Sequence, residues 1–359
     1  MQRPPWLKDN MPRTPTSSSS TAMSRRHVLL AASAAATPLW AQTTAWPTKP
    51  LRLIVPFPAG GTTDVLSRLM ATEMTKLLGQ PVVVENKPGA GTVIGVDAAA
   101  KASADGHTLV CIANSFCVNQ TLAKNLPYDG LRDLRPVGLL AVADHVLATH
   151  PNSGIKNLND VIALAKKNPG KLSYASFGNG TSAHLAGAML ASKTGLDLIH
   201  VPYKGQAPAM NDLMGGQVTL MFGNWPEFRH QIQAGKLVGV GMATAKRSPL
   251  APDLPTLTEQ GAALESNSWF GLMTRSGLPE DVVTRLNQTI NKALQSPALV
   301  QAIQDGGMTS LANTPERFAA LERHGVHVTV SLDGRKEDND AKRVLAGGKA
   351  GSVYDAALA

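Results

Sequence analysis

The sequence predicts an α/β fold of two lobes, each a largely parallel sheet covered by helices, and three observations lead to this prediction. Short apolar segments alternate with amphipathic ones, as strands alternate with helices around a parallel sheet. The alternation restarts near residue 150, after a first β-α-β-α-β set that ends at residue 112. The 359 residues, of which 43% are hydrophobic, suffice for two packed cores.

The first lobe is predicted to open with a strand at residues 51–56 and a helix at residues 65–78, which Gly79 ends. A strand at 82–85, a helix at 93–102 and a strand at 108–112 follow. The second lobe is predicted to contain helices at 158–167, 184–194, 207–214 and about 228–234, and strands at 172–175, 198–201, 219–222 and 237–241. The strand 268–273 is expected to return to the first lobe, which the helix 280–295 completes.

The first 41 residues predict a polar extension followed by a secretory signal. Arg25 and Arg26 precede a small apolar run at residues 27–39, and Ala41 is a small residue suited to cleavage. The run is too short to span a bilayer, so we expect the mature chain to be released. Paired arginines partly resemble a twin-arginine export signal and also occur in ordinary signals, so both export routes, and a start at Met23, stay open.

Charge and cysteine content exclude several classes of function. The formal net charge is +8, of which the first 41 residues carry +4. The remaining sequence has no run of basic residues interleaved with aromatics, so a nucleic-acid surface is not expected. Cys111 and Cys117 could pair in an oxidising compartment, but their spacing fits no metal or redox motif, and free buried thiols are favoured. We expect no metal and no cofactor.

Glycine-rich loops between strands and helices are the candidate binding elements. Residues 56–64 hold no obvious nucleophile, so their useful groups are backbone amides. Glycines allow close approach of a ligand, and the first amides of a helix lack internal partners and favour an anion. Thr62, Thr63 or Asp64 can cap the following helix, and for Asp64 capping and ligand contact are both open.

A second loop of the same kind, residues 176–184, lies in the other predicted lobe, so the two loops could grip opposite ends of a diacid. His184 is expected to be neutral and structural, because it falls in a first helical turn. Lys204, in the loop 202–208, is either a surface residue or a ligand contact. Asn114 and Ser115, at the end of the third strand, offer side-chain donors.

Two other interpretations of these segments are weaker. Residues 89–95 imitate a dinucleotide fingerprint, but the turn is too long and no acidic residue ends the next strand, so helix-start packing is preferred. A hydrolase would use Ser182 or Ser176 with His184. Ser182 and His184 are two residues apart at a helix start and do not face each other.

Several segments together resemble the Bug-type solute receptors of tripartite tricarboxylate transporters. They are W-P-x-K-P-L-R-L-I-V-P-F-P-A-G-G-T-T-D at 46–64, G-N-G-T-S-A-H-L-A-G at 178–187, V-P-Y-K-G at 201–205, D-L-M-G-G-Q-V at 212–218, A-G-K-L at 234–237 and K-R-S-P at 246–249. The resemblance covers residues 46–320. It implies a periplasmic type II binding-protein fold with a hinge of two crossing strands, and a monomer, not an enzyme, that holds a small carboxylate and delivers it to membrane transporter subunits.

The resemblance also implies lobe boundaries and site residues. Lobe 1 would be residues 46–148 plus 269–320 and lobe 2 residues 149–268, while residues 321–359 form a tail unlike the family. The implied ligand-binding residues are Phe57, Ala59, Gly60, Gly61, Thr62, Asp64, Asn114, Ser115, Ser176, Gly178, Asn179, Gly180, Thr181, Ser182 and Tyr203. Many relatives have an acidic residue at Gly223, and Trp225 is bulkier than usual, so the identity of the carboxylate does not transfer. A sensor that feeds a signalling partner is an open alternative.

Overall fold

A ten-stranded mixed sheet runs through the computed structural model, which describes residues 46–123 and 125–311. The predicted export signal and the atypical tail lie outside these residues. The strands are β1 (Leu51–Val55), β2 (Val82–Asn86), β3 (Thr108–Ile112), β4 (Leu134–Thr149), β5 (Leu172–Ser176), β6 (Leu198–Pro202), β7 (Leu220–Asn224), β8 (Val238–Met242), β9 (Asn267–Arg275) and β10 (Thr309–Ser310).

The helices mostly follow strands, as the alternating pattern predicts. They are α1 (Thr62–Leu78), α2 (Val93–Ala100), α3 (Asn114–Leu122), α4 (Gly130–Asp133), α5 (Leu158–Lys167), α6 (Ser182–Thr194), α7 (Gln206–Met214), α8 (Trp225–Gln233), α9 (Glu280–Leu294) and α10 (Pro297–Asp305). None of these helices is both long and apolar enough to cross a membrane. Cys111 and Cys117 form no disulfide with each other; Cys111 is buried as preferred, whereas Cys117 is only partly buried.

The strand order is β2-β1-β3-β9-β4-β7-β5-β6, and β8 and β10 also pair with β4. The predicted parallel pairing holds at the two ends of this order, where β1 pairs with β2 and β3, and β5 pairs with β6 and β7. The centre differs from the prediction, because β4 and β9 run antiparallel to each other and to their other neighbours. Two parallel halves therefore meet at an antiparallel pair.

Strand β4 is the main element that the sequence pattern missed. Its first part pairs with β9, from Leu134 opposite Arg275 to Asp144 opposite Asn267. Its last five residues pair with β7, from His145 opposite Asn224 to Thr149 opposite Leu220. One strand thus serves both halves of the sheet, and β4 with β9 forms the two-strand connection that the family resemblance implied.

Four helices, α1, α6, α7 and α8, begin earlier than predicted, and α3 was not predicted. Helix α1 begins at Thr62 with Gly61 as its N-cap, so none of the three predicted side chains caps it. Helix α6 begins at Ser182. Asn114 and Ser115 open α3 instead of ending a strand.

Gly187 on α6 is required by the packing of this helix on the sheet. A Cβ atom at this position would lie 2.1 Å from Cε2 of Tyr174, a residue of β5 that is itself buried. We expect Gly187→Ala to lower the free energy of unfolding by about 1 to 3 kcal/mol, because the ring has to move within a packed core. Urea denaturation measures this loss. Ala188→Ser, at the exposed neighbouring position, is the control and should change stability by less than about 0.5 kcal/mol. Equal midpoints for Gly187→Ala and the parent would contradict this packing argument.

Candidate functional site

An inner cavity of about 30 Å³ lies where the first turns of α1, α3, α6, α7 and α8 come together. First-turn amides lack helical partners, so such a place is rich in hydrogen-bond donors and favours negative charge. Glu227 is the one ionisable side chain among its lining residues, all of which the structure describes. The lining residues are Phe57, Pro58, Ala59, Gly61, Thr62, Thr63, Ala113, Asn114, Ser115, Phe177, Thr181, Ser182, Gln206, Ala207, Asn224, Glu227, Ser268 and Phe270.

An outer cavity of about 440 Å³ lies beside the inner one, and Phe57, Pro58 and Phe177 line both. Its wall includes residues 88–93, so the segment that imitates a dinucleotide fingerprint is part of this opening. Lys204 contributes the basic side chain of this wall.

The residues implied by the family resemblance divide into three groups. Eight line the inner cavity: Phe57, Ala59, Gly61, Thr62, Asn114, Ser115, Thr181 and Ser182. Gly178, Asn179 and Tyr203 line the outer cavity, as Phe57 also does. Gly60, Asp64, Ser176 and Gly180 line neither cavity.

Asp64 holds the first loop in shape. Its carboxylate accepts hydrogen bonds from the Gly60 amide at 3.0 Å, Arg68 Nε at 3.0 Å and Asn86 Nδ2 at 2.8 Å. Burial alone would raise the pKa of Asp64, but these hydrogen bonds and the Arg68 charge outweigh it and lower the pKa. Asp64 is therefore a structural anion whose charge is already matched.

His145 is the centre of a buried polar cluster behind the inner cavity. Its Nε2 lies 3.0 Å from Ser268 Oγ and 3.2 Å from Ser182 Oγ, and its Nδ1 lies 2.9 Å from Ser266 Oγ. Burial lowers the pKa of His145 to about 3, so the imidazole is neutral at ordinary pH. The cluster ties the start of α6 to β4 and β9 without placing a positive charge beside the cavity.

The serine and histidine pairs do not match a hydrolase. Ser182 contacts His145, and Ser176 Oγ lies 2.7 Å from His200 Nε2, so neither pairs with His184. The groups that orient His145 are serine hydroxyls rather than a carboxylate. Burial also lowers the pKa of His200, to about 4, which makes both imidazoles weak general bases.

His184 has the structural role predicted for it. Its Nδ1 accepts a hydrogen bond from the Gly180 amide at 3.2 Å, and burial lowers its pKa. Its ring stacks on that of His200, with the centroids 4.0 Å apart. His184 therefore shapes the second glycine-rich loop.

Glu227, in the first turn of α8, is a charged cavity residue that the sequence did not reveal. Its Oε1 accepts a hydrogen bond from the Thr62 amide at 2.6 Å, and its Oε2 accepts one from Gln206 Nε2 at 2.8 Å. Burial raises the pKa of Glu227 to about 7, although hydrogen bonds from Thr62 and Gln206 act in the opposite direction. An acidic residue in a first helical turn is common, so the sequence carried no signal of this contact.

The other lining residues that sequence reasoning did not single out are mostly neighbours of predicted ones. Asn224 is buried, and its Nδ2 donates to Thr62 Oγ1 at 3.1 Å. A position at the start of a helix or the end of a strand was the available signal for Thr63, Phe177, Gln206 and Asn224. Ser268 and Phe270 lie in the first half of β9 and carried no such signal.

Gly223 and Trp225, the two departures from the family pattern, flank the cavity without lining it. A Cβ atom at Gly223 would lie 2.1 Å from Cε2 of Phe228, which is fully buried, so the ring fills the space that a side chain would need. Trp225 is buried as well. Asn224, between them, is the residue that faces the inner cavity.

Comparison with known proteins decides the family. The family model described as "Tripartite tricarboxylate transporter family receptor" matches residues 66–326. The chain belongs to this family. It is 36% identical to the periplasmic binding protein BugD, with a TM-score of 0.73 and coverage of 78% of this chain and 95% of BugD.

Two further structures of similar proteins contain carboxylates. An R. palustris protein with adipate is 31% identical to this chain, with a TM-score of 0.74 and coverage of 77% of this chain and 94% of that one. MatC from Rhodopseudomonas palustris, with bound malate, is 29% identical, with a TM-score of 0.72 and coverage of 77% and 95%. The fold of the receptor is therefore that of the periplasmic binding proteins.

The pKa of Glu227 makes stability depend on pH. The native carboxyl, with a pKa of about 7 against 4.5 for an ordinary glutamate, binds its proton more tightly than an unfolded one. Stability is therefore lost as pH rises from about 4.5 to about 7. Glu227→Gln should not lose this stability. We therefore expect the free energy of unfolding of Glu227→Gln, relative to that of the parent, to increase by on the order of 2 kcal/mol from pH 5 to pH 8.5. Urea denaturation at both pH values measures this. Glu265→Gln, at an exposed position, is the control and should show no such gain; a pH-independent difference for Glu227→Gln would contradict the assignment.

Proposed function

We propose that this receptor is exported to the periplasm and captures a small carboxylate between two lobes. It then delivers the carboxylate to the membrane subunits of a tripartite tricarboxylate-type transporter. The observation that carries this proposal is the meeting of helix starts from both halves of the sheet at a cavity lined by no basic side chain among its described residues. Adipate and malate in two similar receptors support the class of ligand.

Backbone amides provide the recognition in this proposal. The starts of α1 and α6 would each offer first-turn amides to one carboxylate group, and the hydroxyls of Thr62 and Ser182 would add hydrogen bonds. Dipoles in a site shielded from water can hold an anion without a cation. Of the residues implied by the family resemblance, the eight that line the inner cavity would contact the ligand.

The proposed lobes are residues 46–148 with 269–320 and residues 149–268, although 312–320 lie outside the described residues. Separate sets of buried apolar residues support this division. One set contains Phe222 and Leu264, and two others contain Leu51 with Leu286 and Ile54 with Val96. Val146, at the end of the first proposed lobe, packs with the first of these sets. We expect the mature receptor to act as a monomer, since one chain carries both sides of the cavity.

Titration of the purified mature receptor against mono-, di- and tricarboxylates, including malate and adipate, tests this function. Thermal unfolding reads the result, because a ligand present at 100 times its Kd adds about 2.7 kcal/mol to stability. Sugars and metal cations are the comparison set. Stabilisation by a member of that set and by no carboxylate would refute the proposal.

Closure of the two lobes can be tested at Gly91. This residue has a φ of +59°, and a Cβ atom there would lie 2.7 Å from the Asn179 carbonyl oxygen, on the other side of the outer cavity. We expect Gly91→Ala to raise the Kd of the best carboxylate about tenfold or more, because the added methyl group holds the lobes apart at a cost of about 1.4 kcal/mol or more.

The matched control for this variant is Gly154→Ala. Gly154 has a φ of +74° and no heavy atom within 4 Å of the added Cβ, so the change brings the same backbone strain without a clash. Calorimetric titration should give an unchanged Kd for this control. Equal affinities of the two variants would contradict closure at this contact.

A further inference from the structure

The carboxylate of Glu227 occupies a position of the kind that the proposed function gives to the ligand. It accepts a hydrogen bond from Thr62, the first residue of the 17-residue helix α1. A carboxylate on a first-turn amide of a helix is the interaction by which such a site holds an anion. The binding site thus already contains one carboxylate, supplied by its own chain.

Both oxygens of this carboxylate are engaged, and from opposite halves of the sheet. Thr62 follows β1, whereas Gln206 follows β6, and each donates to one oxygen of Glu227, at 2.6 Å and 2.8 Å. A Cβ atom at Gly61 would lie 3.7 Å from Oε1, an ordinary contact, so the approach of Glu227 does not depend on a glycine at this position. The remaining inner cavity, of about 30 Å³, has room for water and not for a dicarboxylate. A carboxylate ligand that binds the first-turn amides of α1 therefore needs the place that Glu227 holds.

The groups that act on Glu227 are uncharged: the Thr62 amide and hydroxyl, Gln206 and its own amide. On α1, Asp64 is paired with Arg68, and on β4, His145 is neutral. On α8 itself, the Arg229 guanidinium donates to the backbone oxygen of Asp305 and to the neighbouring His230. Lys204 lines the outer cavity and not the inner one. No described cation lines the inner cavity to balance a second carboxylate there.

We propose that Glu227 is an internal competitor for the ligand's carboxylate, and that binding makes it release the Thr62 amide and take up one proton from solvent. This inference rests on the proposed carboxylate function. Two carboxylates within one water-poor cavity repel each other, so one of them keeps a proton. The proton bonds to a Glu227 oxygen, and the resulting neutral acid can donate its O–H to the ligand carboxylate. Glu227 is in this way a specificity-determining residue that makes capture weaker as pH rises.

Calorimetric titration of malate and adipate into the parent receptor, Glu227→Gln and Glu265→Gln tests this exchange. Each titration is run at pH 6.0, 7.5 and 8.5, in two buffers of different ionisation enthalpy, so that the number of protons taken up can be counted. For the parent and for Glu265→Gln we expect close to one proton per ligand at pH 8.5. Their Kd should rise nearly tenfold between pH 7.5 and 8.5, because the uptake of one proton on binding raises log Kd by about one for each pH unit.

Glu227→Gln keeps an acceptor for the Thr62 amide but removes the charge and the titration. We expect it to take up no proton, to show a Kd independent of pH, and to bind more tightly than the parent at pH 8.5. If Glu227 had only a structural role, the substitution would change the affinity but not the number of protons taken up on binding. The parent receptor alone supplies that count, so the test stands even where the variant folds poorly.

The outcomes separate the inference from the function on which it rests. Carboxylate binding by the parent with no proton uptake, or with proton release, overturns the inference and leaves the function. A folded Glu227→Gln receptor that binds neither acid also overturns it, because Glu227 would then be a required contact. Absence of binding of both acids, and of every carboxylate of the titration panel, to parent and variant at pH 6.0 overturns the proposed function and the inference together.

Discussion

The shared strand β4 is the constraint on which the rest of the structure depends. Because its first part pairs with β9 and its last five residues pair with β7, both halves of the sheet take their register from one strand. The change of partner occurs between Asp144 and His145, where the buried imidazole also contacts Ser182 at the start of α6. Any bend at this point changes the distance between the helix starts that form the cavity.

The electrostatic character of the cavity follows from that arrangement. The helix starts supply hydrogen-bond donors and partial positive charge to the cavity. His145, buried where β4 changes its partner strand, stays neutral, and the described lining residues include no cation. An anion is the complementary group. Glu227 supplies an anionic group in this structure. The pKa of Glu227 is raised because burial destabilises its ionised form more than the neutral hydrogen-bond donors stabilise it.

Much of this arrangement could be predicted from local sequence, and the rest depends on contacts that local sequence does not encode. The strand at residues 108–112 and the helix at 158–167 were predicted with their observed bounds, because their patterns are clear. Strand β4 was not predicted, because Pro136, Asp144 and His145 interrupt its apolar pattern. The position of the cavity was predicted from the glycine-rich loops that follow strands. Glu227 could not be found in this way, because its partner Thr62 lies 165 positions away.

The exchange proposed for Glu227 also bears on which carboxylate suits the site. The hydrogen bond from Thr62 to Glu227 joins the start of α1 to α8 across the cavity, so a ligand that displaces Glu227 removes one interaction between the two sides. A monocarboxylate that binds the α1 amides alone does not replace that interaction. A dicarboxylate whose second group bound the amides at the start of α6 would replace it. The proposed exchange therefore favours a ligand with an anionic group at each end.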